Sequence, residues 1–99
     1  MKTSDILYSA WGYEQTNVNY YIVVKATEKT VLLQEIGSDY SRADEFMCGT
    51  ATPNPLELRG KPFRRKIDKT YRGEPCVSIS SYENAYPWDG KPVEYSSYA

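Results

Sequence analysis

The feature that most constrains this chain is a pair of period-two runs separated by four short polar residues. Val18-Asn19-Tyr20-Tyr21-Ile22-Val23-Val24-Lys25-Ala26 is dense in β-branched and aromatic side chains, and its even positions, Val18, Tyr20, Ile22, Val24 and Ala26, share one apolar face. Thr27-Glu28-Lys29-Thr30 breaks the pattern, and Val31-Leu32-Leu33-Gln34-Glu35-Ile36 resumes it before Gly37. This spacing predicts an antiparallel β-hairpin at the centre of a curved sheet, with Ile22 and Val24 buried.

The flanking sequence repeats the signal more weakly. Ile6 to Trp11 reads as a strand ended by Gly12, and Glu45 to Ala51 as a weaker one closed by Pro53 and Pro55, which cannot donate to a ladder. Phe63-Arg64-Arg65-Lys66-Ile67 places Phe63, Arg65 and Ile67 on one face, and Cys76 to Ser80 sets Val77 and Ile79 against Cys76, Ser78 and Ser80. An Asp89-Gly90 turn leads into a last strand at Val93-Glu94-Tyr95. Only Tyr40 to Phe46 or Pro55 to Leu58 is expected to hold a helical turn. The expected fold is mainly β, one small domain over residues 1–99, as an antiparallel curved sheet or SH3-like barrel with at most one short helix.

At 99 residues the core is modest, yet 40% hydrophobic and 25% charged residues suffice to offset chain ordering without disulfides or metal. Cys48 and Cys76 are far apart in sequence, with no second pair and no histidine, so both are expected as free thiols. The longest apolar run, Ile22-Val23-Val24, is too short to span a bilayer, and Met1 to Asp5 lacks the apolar stretch of a signal peptide. A cytoplasmic protein without membrane contact is expected.

Three clusters are candidate binding sites. Trp11, Tyr13, Glu14, Gln15, Thr16 and Asn17 surround Gly12 between two predicted strands, where stacking and amide hydrogen bonds would hold a planar ligand. Turn chemistry accounts for the same residues, with Gln15, Thr16 and Asn17 bonding backbone and Trp11 and Tyr13 capping the core. Arg59, Lys61, Arg64, Arg65, Lys66, Lys69 and Arg72 face a single acid, Asp68, a local balance of +6 in a chain of net −1. Such a stripe suits phosphates, with Phe63 or Tyr71 for base stacking, and equally suits an edge strand that blocks sheet-to-sheet pairing. Ten tyrosines against two Phe and two Trp make the aromatic surface amphipathic. Near the end of the chain Tyr86, Trp88 and Tyr95, with Tyr82 and Tyr98, suit either an interface or a tail that completes a small core.

Tyr8-Ser9-Ala10-Trp11-Gly12-Tyr13-Glu14-Gln15-Thr16-Asn17-Val18-Asn19-Tyr20-Tyr21 resembles the start of a family of small uncharacterised proteins encoded by phages, plasmids and other bacterial mobile elements. Tyr86-Pro87-Trp88-Asp89-Gly90-Lys91-Pro92, with Tyr95 and Tyr98-Ala99, resembles that family's close. The likeness covers nearly the whole chain, with a looser middle around Phe46 to Gly49 and Lys61 to Arg65. It implies a genomic setting, in which small accessory proteins often act against host defence, and no mechanism.

Catalysis finds little support in the composition. The chain has no histidine, so the commonest general base and metal ligand is missing. Cys48 and Cys76 lack an activating partner, and no spacing pairs Glu14, Asp44, Glu45 or Asp89 as acid and base. No phosphate loop, nucleophile elbow or metal-ligand spacing occurs. The expectation is a non-enzymatic binding protein with no catalytic residue, metal or cofactor, whose partner is a host protein. The alternative is a nucleic-acid or nucleotide binder using the basic stripe and the aromatic loop.

Overall fold

A computed structural model describes residues 2–11, 17–42, 48–69, 73–80 and 83–96. Its strands are β1 (Ile6–Trp11), β2 (Asn17–Ala26), β3 (Thr30–Arg42), β4 (Cys48–Lys69), β5 (Pro75–Ser80), β6 (Glu83–Pro87) and β7 (Val93–Ser96). Every pairing is antiparallel. The order β3-β2-β1-β6-β5-β4 is closed by pairing of β3 with β4, which makes a six-stranded barrel, and β7 is added against the start of β4. Among the described residues there is no helix, and none long and apolar enough to cross a membrane.

The predicted hairpin is present, with Ala26 paired to Val31 and Thr27 closing the turn through its amide on the Thr30 carbonyl, 2.8 Å. Its buried face differs from the expectation. Tyr21 and Val23 point into the barrel with Leu7, Val31, Leu33, Val77 and Ala85, whereas Ile22 is only half-buried and Val24 is 43% exposed. The physical reason is that both faces of β2 are covered, the odd face by the barrel and the even face by a second core that extends only as far as Ile22. A bulge follows: Val23 pairs with Leu33 but Lys25 with Leu32, so Val24 is the extra residue. Beyond it the alternation inverts, and Ala26 rather than Lys25 packs on the inner cluster.

The even positions of β2 serve a second core outside the barrel. Val18 and Tyr20 pack with Ile36 and Ala51, supported by Ile6, Tyr8, Ile22, Trp88 and Val93. The second half of β3 and the start of β4, joined by β7, therefore cover the outer face of β1 and β2. Tyr20 is fully buried there, its hydroxyl donating to the Ala51 carbonyl at 2.7 Å and its ring meeting Trp88 edge-on at 6.0 Å.

Two further expectations are corrected. β3 does not end at Gly37 but runs through it to Arg42. Cys48 to Ala51, the described part of the strand expected at Glu45 to Ala51, and the strand expected at Phe63 to Ile67 belong to one strand, β4, with register jumps opposite Leu33/Glu35 and Ile36/Gly37. Pro55 and Pro62 fall in those jumps, where no ladder donor is required. Pro55 to Leu58 is consequently extended rather than a helical turn, as is Tyr40 to Arg42, while residues 43–47 lie outside the described set.

Candidate functional site

β4 is the element on which the sequence and the structure part most. Among the described residues it has no second neighbour between Ala51, the last residue paired to β7, and Ile67, the first paired to β5. Two bulges lie along this open edge. Leu33 pairs with Phe63 and Glu35 with Arg59, leaving Gly60, Lys61 and Pro62 looped out; Ile36 pairs with Leu58 and Gly37 with Asn54, leaving Pro55, Leu56 and Glu57 looped out.

Each bulge is built by named side chains. The buried Gln34 amide nitrogen lies within hydrogen-bond reach of the carbonyls of Arg59 (2.7 Å), Glu35 (3.0 Å) and Gly60 (3.1 Å), and its two hydrogens shared among them tie the Gly60 to Pro62 bulge to β3. Gly60 has φ +70°, a left-handed conformation that other side chains resist. In the Pro55 to Glu57 bulge, the first along the chain, the Asn54 side-chain oxygen accepts from the Leu56 amide at 3.1 Å. Glu57 lies across Gly37 so closely that a Cβ there would collide with its carboxylate and stand 2.9 Å from its Cβ.

This scaffold presents Leu56 at 93% and Leu58 at 65% exposure, with Tyr40, at 58%, on the neighbouring β3. Flanking them are Arg59 and Lys61, both exposed. Arg59 reaches Glu57 at 3.4 Å, and its charge partly offsets the upward shift that burial gives Glu35. The site is thus an apolar projection with a mixed-charge border. Sequence reasoning missed it because attention fell on the cations. The available signal was the alternation Leu56-Glu57-Leu58-Arg59 between Pro55 and Pro62, a short strand with one apolar face and nothing to cover it.

The basic stripe is only partly assembled. Arg64, Lys66 and Lys69 are exposed along β4, and Arg64 donates to the Thr30 hydroxyl at 3.1 Å. Arg65 is turned inward, its guanidinium 4.7 Å from the Phe63 ring centroid and its Nε donating to the Ile79 carbonyl at 3.4 Å. That contact fills the seam where β4 and β5 diverge beyond Ile67 and Val77. Arg72 lies outside the described residues.

Of the aromatic loop, Trp11 and Asn17 are paired strand ends and half-buried, while Tyr13, Glu14, Gln15 and Thr16 lie outside the described residues. Trp88 belongs to the second core, and its indole donates to the Lys91 carbonyl at 2.7 Å. Tyr86 lies beside Tyr8 on the outer surface, and Tyr95 is on β7 with its side chain outside the described set.

One polar constellation inside the barrel was not foreseen. Glu83, 6% exposed, accepts at a single carboxylate oxygen from Ser9 (2.5 Å), Tyr21 (2.6 Å) and Asn19 (3.2 Å). These donors come from β1 and β2, so the network ties both strands to the start of β6. Burial, and then the bond to Glu83, hold the Tyr21 phenol well above its ordinary range. Cys76 is a free thiol. Among the described residues no three of His, Cys, Asp or Glu gather to hold a metal ion. No family model, curated protein or solved structure matches this chain.

Proposed function

We propose that this chain is a non-enzymatic binding protein that acts by protein–protein contact through the projecting face of β4. The observation that carries the reading is the exposure of Leu56, within one bulge, and of Leu58, paired between the two bulges that Gln34, Asn54, Gly37 and Gly60 hold in place. Two leucines left in water forgo about 2 kcal/mol each that burial would return, which a partner recovers on docking. Arg59 and Lys61 at the border suit an acidic rim around an apolar pocket on that partner. The resemblance to proteins of mobile elements supports a bacterial host protein in the cytoplasm, a component of host defence, as the partner that is bound and inhibited.

The second reading, nucleic-acid binding, draws on the exposed Arg64, Lys66 and Lys69. It is ranked lower because Arg65 is spent on the barrel seam and Arg59 faces Glu57 and Glu35. One paired experiment separates the two. Immobilised protein is exposed to nuclease-treated bacterial lysate as wild type, as Leu56→Glu/Leu58→Glu and as Arg64→Ala/Lys66→Ala, and each is titrated with purified DNA and RNA. Loss of a specific captured protein only in the leucine variant supports protein contact. Retention there, with nucleic-acid binding tighter than the non-specific ~10⁻⁴ to 10⁻⁶ M and falling steeply with salt, overturns it.

A further inference from the structure

Cations from separate parts of the sequence meet on the outer face of β2, β3 and β4. Ala26 rather than Lys25 packs inward, so Lys25 lies exposed on that face, in register with Leu32, which is in turn in register with Arg64. The adjoining row pairs Thr30 with Lys66, and the bond from Arg64 to the Thr30 hydroxyl fixes the guanidinium between the two rows. Among the described residues Lys25, Arg64 and Lys66 make no ion pair, unlike Arg59 on Glu57. Like charges gathered on one sheet face repel, and an anionic partner relieves that repulsion. Taking β4 as the protein-docking face proposed above, we infer that the partner carries a cluster of carboxylates beside its apolar pocket, and that Lys25, Arg64 and Lys66 receive it. The footprint then reaches past the border of Arg59 and Lys61 as far as β2.

The surroundings of the cations select an acidic protein surface over a nucleic acid. Ile36 and Leu32 share one face of β3, so their partners Leu58 and Arg64 share the corresponding face of β4, and one ligand meets leucine and cations together. The exposed Val24 and half-buried Leu32 lie beside Lys25. A phosphate backbone offers these apolar groups nothing. Phe63, the ring expected to stack bases, is instead turned edge-on to Tyr21 inside the barrel at 5.8 Å. Carboxylates set around an apolar patch on a folded protein match both halves of the face. Charges at such a border act mainly on the rate of docking and its dependence on salt, whereas buried apolar anchors hold the complex once formed. The cations thus steer the partner onto the leucines.

The test is a titration of isotopically labelled protein, followed by amide chemical shifts, with a synthetic peptide bearing leucines on one side and glutamates on the other. A control peptide replaces the glutamates by lysine, and a DNA duplex is the nucleic-acid probe. The glutamate peptide is expected to shift resonances at Lys25, Leu32 and Arg64 together with those at Leu56 and Leu58, saturably, with Kd tighter than about 1 mM. Its affinity should fall at least about tenfold between about 0.01 M and about 1 M salt, over which the Debye length shrinks from about 30 Å to about 3 Å. Lys25→Glu/Arg64→Glu/Lys66→Glu, all at exposed positions, should move the preference to the lysine peptide, and Leu56→Ser/Leu58→Ser should weaken both peptides. Binding that needs the leucines but ignores salt and charge reversal would overturn the inference and leave the β4 reading standing. Binding that ignores the leucine variant would overturn that reading and the inference with it. Absence of saturable shifts at millimolar peptide would overturn the inference, as would duplex DNA held at Lys25 and Arg64 more tightly than the non-specific ~10⁻⁴ to 10⁻⁶ M.

Discussion

At the scale of single residues, two tyrosines adjacent in sequence lock opposite sides of β2. Tyr20 closes the outer core through the Ala51 carbonyl, and Tyr21 enters the barrel to reach Glu83. Burial pushes the Tyr20 phenol up to about 12 from the ordinary 10, and the Tyr21 phenol upward as well. Because the folded state holds these protons more tightly than the unfolded chain, their contribution is complete below pH 10 and declines above it, for Tyr20 until about 12. For Tyr20 it is on the order of 2 kcal/mol. Denaturant midpoints should therefore be flat from pH 7 to 9 and fall above 10, with Tyr20→Phe reducing the slope. A midpoint that holds steady through pH 11 would remove both phenols from the account of stability. At neutral pH Tyr20→Phe should cost about 1 kcal/mol, since the Ala51 carbonyl loses its donor. Glu83 makes a sharper contrast. Glu83→Ala strands three donors in the interior and should cost about 3 kcal/mol or more, whereas Glu83→Gln keeps an acceptor oxygen and should cost clearly less. Equal losses in the two variants, measured by chemical denaturation, would show that packing and not the hydrogen bonds sets the cost.

At the scale of elements, β4 owes its shape to small local decisions. Gly37→Ala forces Glu57 away from β3 and should destabilise by about 1–3 kcal/mol, read from the thermal midpoint; an unchanged midpoint would mean the first bulge can relax freely. The same residue explains part of what the sequence concealed. A glycine after a strand pattern reads as a stop, but here its missing Cβ admits the crossing of Glu57, and β3 continues. The hairpin of β2 and β3 was legible because β-branched density and a polar turn are local signals. Its inward face was not, because both faces of β2 carry apolar residues, Tyr21 and Val23 on one and Val18, Tyr20 and Ile22 on the other, and only the fold decides which closes the barrel; the Val24 bulge then reverses the alternation for Ala26 alone. β6, Glu83 to Pro87, escaped notice because its inward residues are a carboxylate and an alanine, which give no apolar alternation. The basic run was visible as composition and its alternation already put Arg65 on the face of Phe63 and Ile67, as the structure has it, yet only the fold could reveal that Leu56 and Leu58 turn out.

At the scale of the whole molecule, a closed barrel leaves few edges, and the one long open edge among the described residues belongs to β4. Prolines at 53, 55 and 62 and cations at 59, 61, 64 and 66 make that edge unsuited to recruiting another strand. Side chains, not backbone, are then what it offers a partner, and the two exposed leucines are its apolar part. The central claim is that Leu56 and Leu58 are a docking surface. It is tested most directly by placing a photo-crosslinking amino acid at position 56, and as a control at the exposed Asn84 on β6, and irradiating each protein in nuclease-treated host lysate. A discrete crosslinked protein from position 56, absent from position 84 and suppressed by excess wild type but not by the Leu56→Glu/Leu58→Glu variant, is the result predicted. No adduct at position 56, or an adduct that the leucine variant suppresses as well as wild type does, would contradict it.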